Sequence, residues 1–256
     1  TILLTGFEPF GGESTNPSWD AVQQLAGWQP DSETIVRAIQ LPCVFGSSLA
    51  ELNAQIAEWD PVLVIALGQA GGRTCVSLEK VAINYNDARI ADNQGQQPLA
   101  TATIEDGPAA YFSTLPLKHL VQQLRSRGIP AEVSFSAGTF VCNHVFYGLM
   151  HALSNKPKVR GGFIHIPYSP IQASRLQSAS MSTDLVVEAL KTCIEVSLLQ
   201  QPDLVLATGR TAADHRYSGA GSVLRGLLAR SASPAISGLS WAGKRMTWGA
   251  GVIGSA

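Results

Sequence analysis

The stretch Val62-Leu63-Val64-Ile65-Ala66-Leu67-Gly68 is apolar at every position before its terminal glycine. An unbroken apolar run of this length is typical of a strand that is buried on both faces, as in a parallel sheet covered by helices. The segment before it, residues 47–59, repeats apolar residues at helical spacing and predicts a helix. Residues 2–5 predict a further buried strand. The order strand, helix, strand indicates an α/β protein.

The rest of the chain continues this alternation up to about residue 199. Asn16-Pro17 predicts a helix start, with Asn16 as N-cap and Pro17 in the first turn. The remaining expected elements are strands over 76–84, 131–136 and 162–166, and helices over 116–127, 143–153 and 183–199. We therefore predict a mostly parallel central sheet with helices on both faces. Such sheets carry their sites at the carboxyl ends of strands.

Composition excludes several classes of protein. The chain has 256 residues, a formal net charge of -1 and only 14% charged residues, against roughly a quarter in typical domains. That balance argues against a disordered chain and gives no general attraction to nucleic acid or acidic membranes. No apolar run is long enough for a transmembrane helix. The four cysteines are far apart in sequence, which predicts no metal site and a reducing, cytoplasmic environment.

A change in composition near residue 200 predicts a boundary. Acidic residues outnumber basic ones before it, whereas the following stretch has an excess of basic residues and many glycines. We assign 1–200 to one domain and 201–256 to an appended, peripheral segment rich in Gly, Ala, Ser and Arg. Residues 202–209 could add a strand to a sheet edge. The alternatives are an altered C-terminus or an added contact between subunits.

Cys142 is the first candidate nucleophile. It falls between a predicted strand and a predicted helix, at or near the helix N-terminus. Free N–H groups and the helix dipole stabilise a thiolate at such a position and can hold an oxyanion. The alternative is an inert buried cysteine.

His165 and Glu79 could complete a catalytic set. His165 stands between Ile164 and Ile166 in a predicted strand, and histidine is the usual base for a cysteine nucleophile. Taken alone it could equally be a core histidine. Glu79 lies among apolar residues and could orient an imidazole. The alternative for Glu79 is an ion pair with a basic residue: Arg73, Lys80 or Arg89.

Glycine-rich loops follow two of the predicted strands, at 6–12 and 68–72. Neither fits a dinucleotide-binding or P-loop pattern. Residues 238–244 approach a P-loop, but Arg245 stands where Ser or Thr is required. Phosphate binding is therefore not predicted.

Four long motifs resemble the pyroglutamyl peptidase I family, in the family's order, across residues 2 to about 199. They are Gly6-Phe7-Glu8-Pro9-Phe10-Gly11-Gly12 followed by Asn16-Pro17-Ser18-Trp19, Gly68-Gln69-Ala70-Gly71-Gly72-Arg73 with Glu79, Ala137-Gly138-Thr139-Phe140-Val141-Cys142-Asn143, and Gly161-Gly162-Phe163-Ile164-His165-Ile166-Pro167. The resemblance implies a cytosolic cysteine exopeptidase that removes N-terminal pyroglutamate from peptides. It also implies a three-layer α/β/α fold, no metal or cofactor, and a homotetramer.

On this reading Cys142 is the nucleophile, His165 the proton carrier and Glu79 the group that orients it. The acyl-enzyme is then hydrolysed by water. We expect the small, uncharged pyroglutamyl ring to bind among apolar side chains, with hydrogen bonds to its lactam group and to the oxyanion. The expected binding residues are Phe7, Phe10, Gln69, Arg89, Ile90, Phe140 and Val141. The aromatic ones could instead be core residues.

One departure from the family lies beside Leu41-Pro42, where members commonly carry Thr and this chain has Cys43. A thiol is a weaker hydrogen-bond donor than a hydroxyl, so binding could weaken while the chemistry survives. Two other functions stay open at this point. One is a silent binding module for pyroglutamyl N-termini, and the other is a nucleoside-phosphorylase-like enzyme with phosphate-dependent turnover.

Overall fold

A computed structural model of the chain describes residues 1–205. The strands are β1 (Ile2–Phe7), β2 (Val36–Leu41), β3 (Leu63–Gln69), β4 (Val76–Glu79), β5 (Val81–Ile83), β6 (Ala110–Phe112), β7 (Ala131–Ser134) and β8 (Arg160–Ile166). The helices are α1 (Pro17–Val22), α2 (Ser47–Trp59), α3 (Leu117–Ser126), α4 (Val141–Leu153), α5 (Pro170–Leu176) and α6 (Thr183–Leu198). A short 3-10 turn, Gln23–Leu25, continues α1.

Six strands form one sheet in the order β2-β1-β3-β8-β4-β7. The first four are mutually parallel, whereas β4 runs antiparallel to β8 and β7 runs parallel to β4. The predicted α/β fold with a mostly parallel central sheet is confirmed. Strands β5 and β6 pair with each other in a separate antiparallel hairpin.

Strand β3 shows why its sequence is apolar throughout. Leu63, Ile65 and Leu67 point into a core shared with α1, α3 and α6, while Val64 and Ala66 point into a second core shared with α2 and α4. All five are buried. Helices therefore cover both faces of the sheet, and a central strand has no polar face to show in its sequence.

The start of α1 follows the sequence closely. Asn16 is the N-cap, its side chain accepts a hydrogen bond from the Ser18 N–H, and Pro17 occupies the first turn. Gly6 of β1 approaches this helix so closely that a methyl group there would lie 2.7 Å from the backbone of Trp19. The glycine is what allows α1 to pack directly on the sheet.

Two predicted boundaries were wrong. The strand expected over 76–84 is divided at Lys80, whose N–H donates to Ser134 while its carbonyl accepts from Ser113. The chain thus leaves the main sheet there and enters the β5–β6 hairpin. The helix expected to begin at Asn143 begins at Val141, because Phe140 is extended and serves as the N-cap.

The predicted strand over 202–209 is only partly open to comparison. Residues 202–205 form no strand, and the rest of it lies outside the described residues, as does the P-loop-like stretch 238–244. None of the helices within residues 1–205 is long and apolar enough to cross a membrane.

Candidate active site

The side chains of His165 and Glu79 meet across two neighbouring antiparallel strands, β8 and β4. His165 is near the end of β8 and Glu79 is the last residue of β4. The imidazole Nδ1 lies 2.8 Å from Oε1 of the carboxylate, and both residues are buried, with exposures of 4% and 0%. The carboxylate holds a hydrogen on Nδ1, so the Nε2 atom of the neutral ring is left as a proton acceptor.

Strand alternation directs His165 away from its apolar neighbours. Ile164 and Ile166 belong to the core on the α1, α3 and α6 side, whereas Phe163 belongs to the opposite core. His165 shares the face of Phe163, and the two ring centroids are 4.8 Å apart. The imidazole therefore faces the layer that contains α4.

Gly68 brings the Cys142 thiol beside this imidazole. In the β3–β8 register Gly68 stands directly opposite His165. A methyl group on Gly68 would lie 2.9 Å from the Cys142 Sγ and 2.7 Å from the Phe163 ring. The thiol thus lies over Gly68, on the face of the sheet that carries His165, and only glycine leaves room for it.

The thiol is half-buried and free. Burial raises its pKa, and Cys43 and Glu79 raise it further. Among residues 1–205 it makes no hydrogen bond to His165. Thiol and imidazole are thus neighbours across Gly68, and catalytic hydrogen bonds often tighten only when substrate binds.

Cys142 occupies the second position of α4. The helix N-cap, Phe140, offers no side-chain hydrogen bond, and the first helical bond runs from the His144 N–H to the Phe140 carbonyl. The N–H groups of Val141, Cys142 and Asn143 thus have no capping side chain. These N–H groups and the helix dipole favour negative charge beside the thiol.

Two sets of contacts fix this helix start. Thr139 accepts from the Asp87 N–H at 3.0 Å and donates its hydroxyl to the Asp87 carbonyl at 2.7 Å. The Asn143 side chain accepts from the Ile83 N–H and donates to the carbonyls of Ile83 and Tyr85. Together they tie the N-terminus of α4 to the end of β5 and the segment that follows it.

Three phenylalanines cluster next to Cys142. Phe140 lies between Phe10 and Phe45, with ring centroids 6.3 Å and 5.4 Å away. Phe10 and Phe140 are half-buried, so the cluster is open to an apolar ligand. Phe45 was not among the binding residues predicted from the sequence. The adjoining Pro42-Cys43 stretch, noted above as a departure from the family, was the available signal.

The other predicted binding residues differ in how deeply they are buried. Phe7 and Val141 are core residues, with exposures of 2% and 0%. Ile90 is half-buried and Arg89 is exposed, next to the segment bonded to Thr139. Within the described part of the chain Arg89 forms no hydrogen bond or ion pair.

Gln69 ends β3 beside the site, and its side-chain carbonyl accepts from Nε2 of Gln172 at 3.0 Å. Gln172 is fully buried and also closes a capping box with Ser169 at the start of α5. This contact holds Gln69 in one orientation. The two residues are 103 positions apart, and no local pattern predicts their contact.

Arg73 makes an ion pair with Glu79, with Nη2 3.2 Å from Oε1. The two readings of Glu79 are therefore not exclusive, since the same oxygen also faces His165. Among residues 1–205 no three His, Cys, Asp or Glu side chains are clustered as a metal site would require.

His144 is a further histidine near the site, in α4 two residues after Cys142. It is buried, with 5% exposure, and its Nε2 accepts from the Gly46 N–H at 3.0 Å while Nδ1 lies 3.1 Å from the Asn86 Oδ1. These partners require a neutral ring with its hydrogen on Nδ1. Burial lowers the pKa of His144 to about 4.

A family model and named relatives match most of the chain. The family model described as pyroglutamyl peptidase matches residues 1–200. The chain belongs to the pyroglutamyl peptidase family. The predicted family membership is thereby confirmed.

Named relatives in the family are similar over most of the chain. The pyrrolidone-carboxylate peptidase of Pectobacterium carotovorum is 59% identical over 211 residues, which cover 82% of this chain and 98% of that protein. The pyrrolidone-carboxylate peptidase of Klebsiella pneumoniae is 57% identical over 211 residues, which cover 82% of this chain and 98% of that protein. Both carry the name of a peptidase.

Solved structures of family members share the fold. The pyroglutamyl peptidase I of Bacillus amyloliquefaciens is 47% identical, with a TM-score of 0.78 over 80% of this chain and 98% of its own. A mutant pyrrolidone carboxyl peptidase of Pyrococcus furiosus is 40% identical, with a TM-score of 0.75 over 78% of this chain and 98% of its own. At these identities the likeness extends beyond the fold.

Proposed function

We propose that this chain is a cysteine exopeptidase that hydrolyses the bond after an N-terminal pyroglutamyl residue of peptides. The observation that carries the proposal is that Cys142, His165 and Glu79 lie close together, where β8 adjoins β4 and the start of α4, in a member of the pyroglutamyl peptidase family. Residues 1–200 form the catalytic domain, and 201–256 are an appendage to it.

The first half of the reaction forms a thioester. The Cys142 Sγ attacks the carbonyl carbon of the pyroglutamyl residue, and its proton passes to the His165 Nε2. Since the pKa of the resting thiol is raised, proton transfer accompanies attack, and His165 acts as a general base. The N–H groups at the start of α4 stabilise the oxyanion. Its collapse expels the amine of the next residue, which takes the proton from His165.

The second half releases pyroglutamate. A water molecule attacks the thioester carbonyl and gives a proton to His165, and the new oxyanion uses the same N–H groups. Collapse then breaks the C–S bond, and Cys142 leaves as the thiolate and regains its proton from His165. Glu79 holds the imidazole in one tautomer and supports its charged form in both halves.

Substrate selection follows from the absence of charge on the lactam nitrogen. An ordinary N-terminal ammonium would lose its water against Phe10, Phe45 and Phe140, at a cost of several kcal/mol without a partner. The pyroglutamyl ring carries no such charge. The Gln69 side-chain oxygen accepts from Gln172, which leaves its amide N–H groups as donors for the lactam carbonyl.

The test is release of a reporter amine from a pyroglutamyl amide. The parent should release it, and Cys142→Ala should lower kcat by at least roughly 10³-fold. Cys75→Ala is the matched control, because Cys75 is another half-buried free thiol and should keep full activity. Equal rates for the parent and Cys142→Ala would overturn the mechanism. A parent that binds a pyroglutamyl peptide without cleaving it would indicate a binding module instead.

A further inference from the structure

The buried negative charge of Glu79 is not compensated by His165 alone. Its side chain is fully buried, and an ionised carboxylate in such a place requires a partner of opposite charge. His165 provides that charge only while it is protonated. Within residues 1–205 the second oxygen, Oε2, has no hydrogen-bond partner, so the charge of Glu79 depends on what approaches Oε1.

Arg73 supplies a permanent positive charge at that oxygen. Its Nη2 lies 3.2 Å from Oε1, which also lies 2.8 Å from the His165 Nδ1. The guanidinium remains charged at every pH the protein meets. It therefore compensates Glu79 both before and after His165 takes up a proton.

The guanidinium is itself held in place by β7 and the loop that follows it. Nη2 donates to the Ser136 carbonyl at 3.0 Å, and Nη1 lies 3.6 Å from Oε1 of Glu132. That Glu132 oxygen also accepts from the Ser77 hydroxyl at 3.0 Å. Only a quarter of the Arg73 side chain is exposed. An arginine fixed by three partners is unlike a mobile surface ion pair, which contributes little.

Without Arg73, the charged groups around Glu79 include no fixed positive charge. Within residues 1–205, the titratable and charged groups that face it or its direct partners come from five segments and are His165, Arg73, Glu132, Cys142 and Cys43. Removing Arg73 would leave two carboxylates and no fixed positive charge in this set. The negative charge of Glu79 acts directly on the nucleophile, since it raises the pKa of the Cys142 thiol.

We propose that Arg73 is a positioning residue of the reaction, which keeps Glu79 ionised and in place while His165 gains and loses its proton. The inference rests on the proposed function, since it assigns a role within that mechanism. It acts through Glu79, without contact to the substrate.

Replacement of Arg73 has a predictable sign. Without the guanidinium, Glu79 is protonated more readily and then no longer accepts from the His165 Nδ1–H. While it stays ionised, its unscreened charge raises the pKa of the Cys142 thiol further. The first effect moves the acid limb of the kcat/KM profile to higher pH, by roughly one unit. The second makes proton transfer from the thiol to His165 less favourable and lowers kcat.

The experiment compares Arg73→Gln, Arg73→Lys and Arg175→Gln over a pH series with a pyroglutamyl amide. Arg73→Gln should lower kcat by roughly 10-fold or more, leave KM within about 2-fold and shift the acid limb upward. Arg73→Lys keeps the charge and should recover most of kcat. Arg175→Gln removes an exposed ion pair with Glu13 and should behave as the parent. An Arg73→Gln profile that superimposes on the parent's would overturn the proposal.

A second variant and a second readout complete the test. Glu132→Gln removes the carboxylate that shares the guanidinium, and should shift the acid limb to lower pH. If Arg73→Gln does not fold, an unshifted or upward-shifted profile for Glu132→Gln overturns the proposal. Alkylation of Cys142 by iodoacetamide over the same pH series needs no substrate. If the parent cleaves no pyroglutamyl amide, the proposed function fails. A difference between Arg73→Gln and the parent in the pH dependence of alkylation would then still support the role of Arg73.

Discussion

Gly68 is the residue on which the site geometry depends most directly. Its missing side chain creates the space that the Cys142 thiol and the Phe163 ring occupy, and its backbone lies beside His165. The position requires glycine because of this close approach, as its φ lies outside the left-handed range. Any side chain there competes with the Cys142 thiol for the same volume.

We therefore expect Gly68→Ala to fold and to lose activity. The new methyl group would displace the Cys142 Sγ, and a displacement of about 1 Å in a reacting group costs on the order of 10²-fold in rate. Steady-state cleavage of a pyroglutamyl amide measures the loss. Gly161→Ala on β8 is the control, because its methyl group meets the end of the Leu153 side chain, which can move. Full activity in Gly68→Ala would contradict this account.

At the residue scale, the sequence was informative where a side chain's role depends on its immediate neighbours. Cys142 before a helix and His165 within an apolar strand were both recognisable, and the family resemblance joined them to Glu79. The contact between Gln69 and Gln172 was not derivable, and Arg73 was only one of three basic residues that could pair with Glu79. Each depends on residues brought together by the sheet order and not by sequence spacing.

At the scale of elements, the site depends on how α4 is held by two loops. His144, two residues after Cys142, accepts from the Gly46 N–H and contacts the Asn86 side chain. Its ring also packs edge-on against Phe45, with centroids 5.2 Å apart. The neutral imidazole thus joins the loop after β2, the segment after β5 and the N-terminal half of α4.

Protonation of His144 should weaken this junction. Burial lowers its pKa from 6.5 to about 4 in the folded state, so acid protonates the unfolded chain first. The stabilising contribution of the neutral ring is complete above pH 6.5 and is lost as the pH falls through 4. The loss of unfolding free energy reaches about 3 kcal/mol by pH 4. Urea unfolding of the parent and of His144→Gln, between pH 4 and 7.5, measures the difference. Parallel stability profiles for the two proteins would show that His144 contributes no such term.

The elements themselves were predictable in proportion to their burial. Strand β3 and helix α2 were recognised within two residues because their apolar patterns are long. Helix α5 and strand β6 were missed because they are short and largely exposed. The break at Lys80 was missed because it depends on which strand each half pairs with. Such breaks are set by hydrogen-bond partners that are distant in sequence. A periodic pattern of apolar residues therefore does not predict them.

At the scale of the whole molecule, the structure refines the boundary that composition predicts near residue 200. Asp203 lies beyond that boundary, yet its Oδ1 accepts from the N–H groups of Lys118 and His119 in the first turn of α3. Arg160 of β8 donates to the carbonyls of Ser197 and Gln201. Residues 201–203 therefore contribute to the described unit, as a helix cap and as a partner of a sheet residue.

These contacts give a prediction about where the chain can be shortened. A chain ending at residue 205 should keep the unfolding free energy and kcat/KM of the full chain, since residues 1–205 contain the site and its supporting contacts. A chain ending at residue 200 should be less stable by roughly 1 kcal/mol or more, because the α3 cap is lost. Asp203→Ala in the full chain isolates the cap and should account for about 1 kcal/mol.

Urea unfolding and light scattering on these proteins test the remaining roles of the segment. Glu105→Ala, at an exposed position, is the control for Asp203→Ala and should leave stability unchanged. The homotetramer that the family resemblance implies should persist in the chain ending at 205, because that chain retains all of the region that matches the family. A drop in mass on removal of 206–256 would instead make that segment a contact between subunits, the alternative that its composition left open.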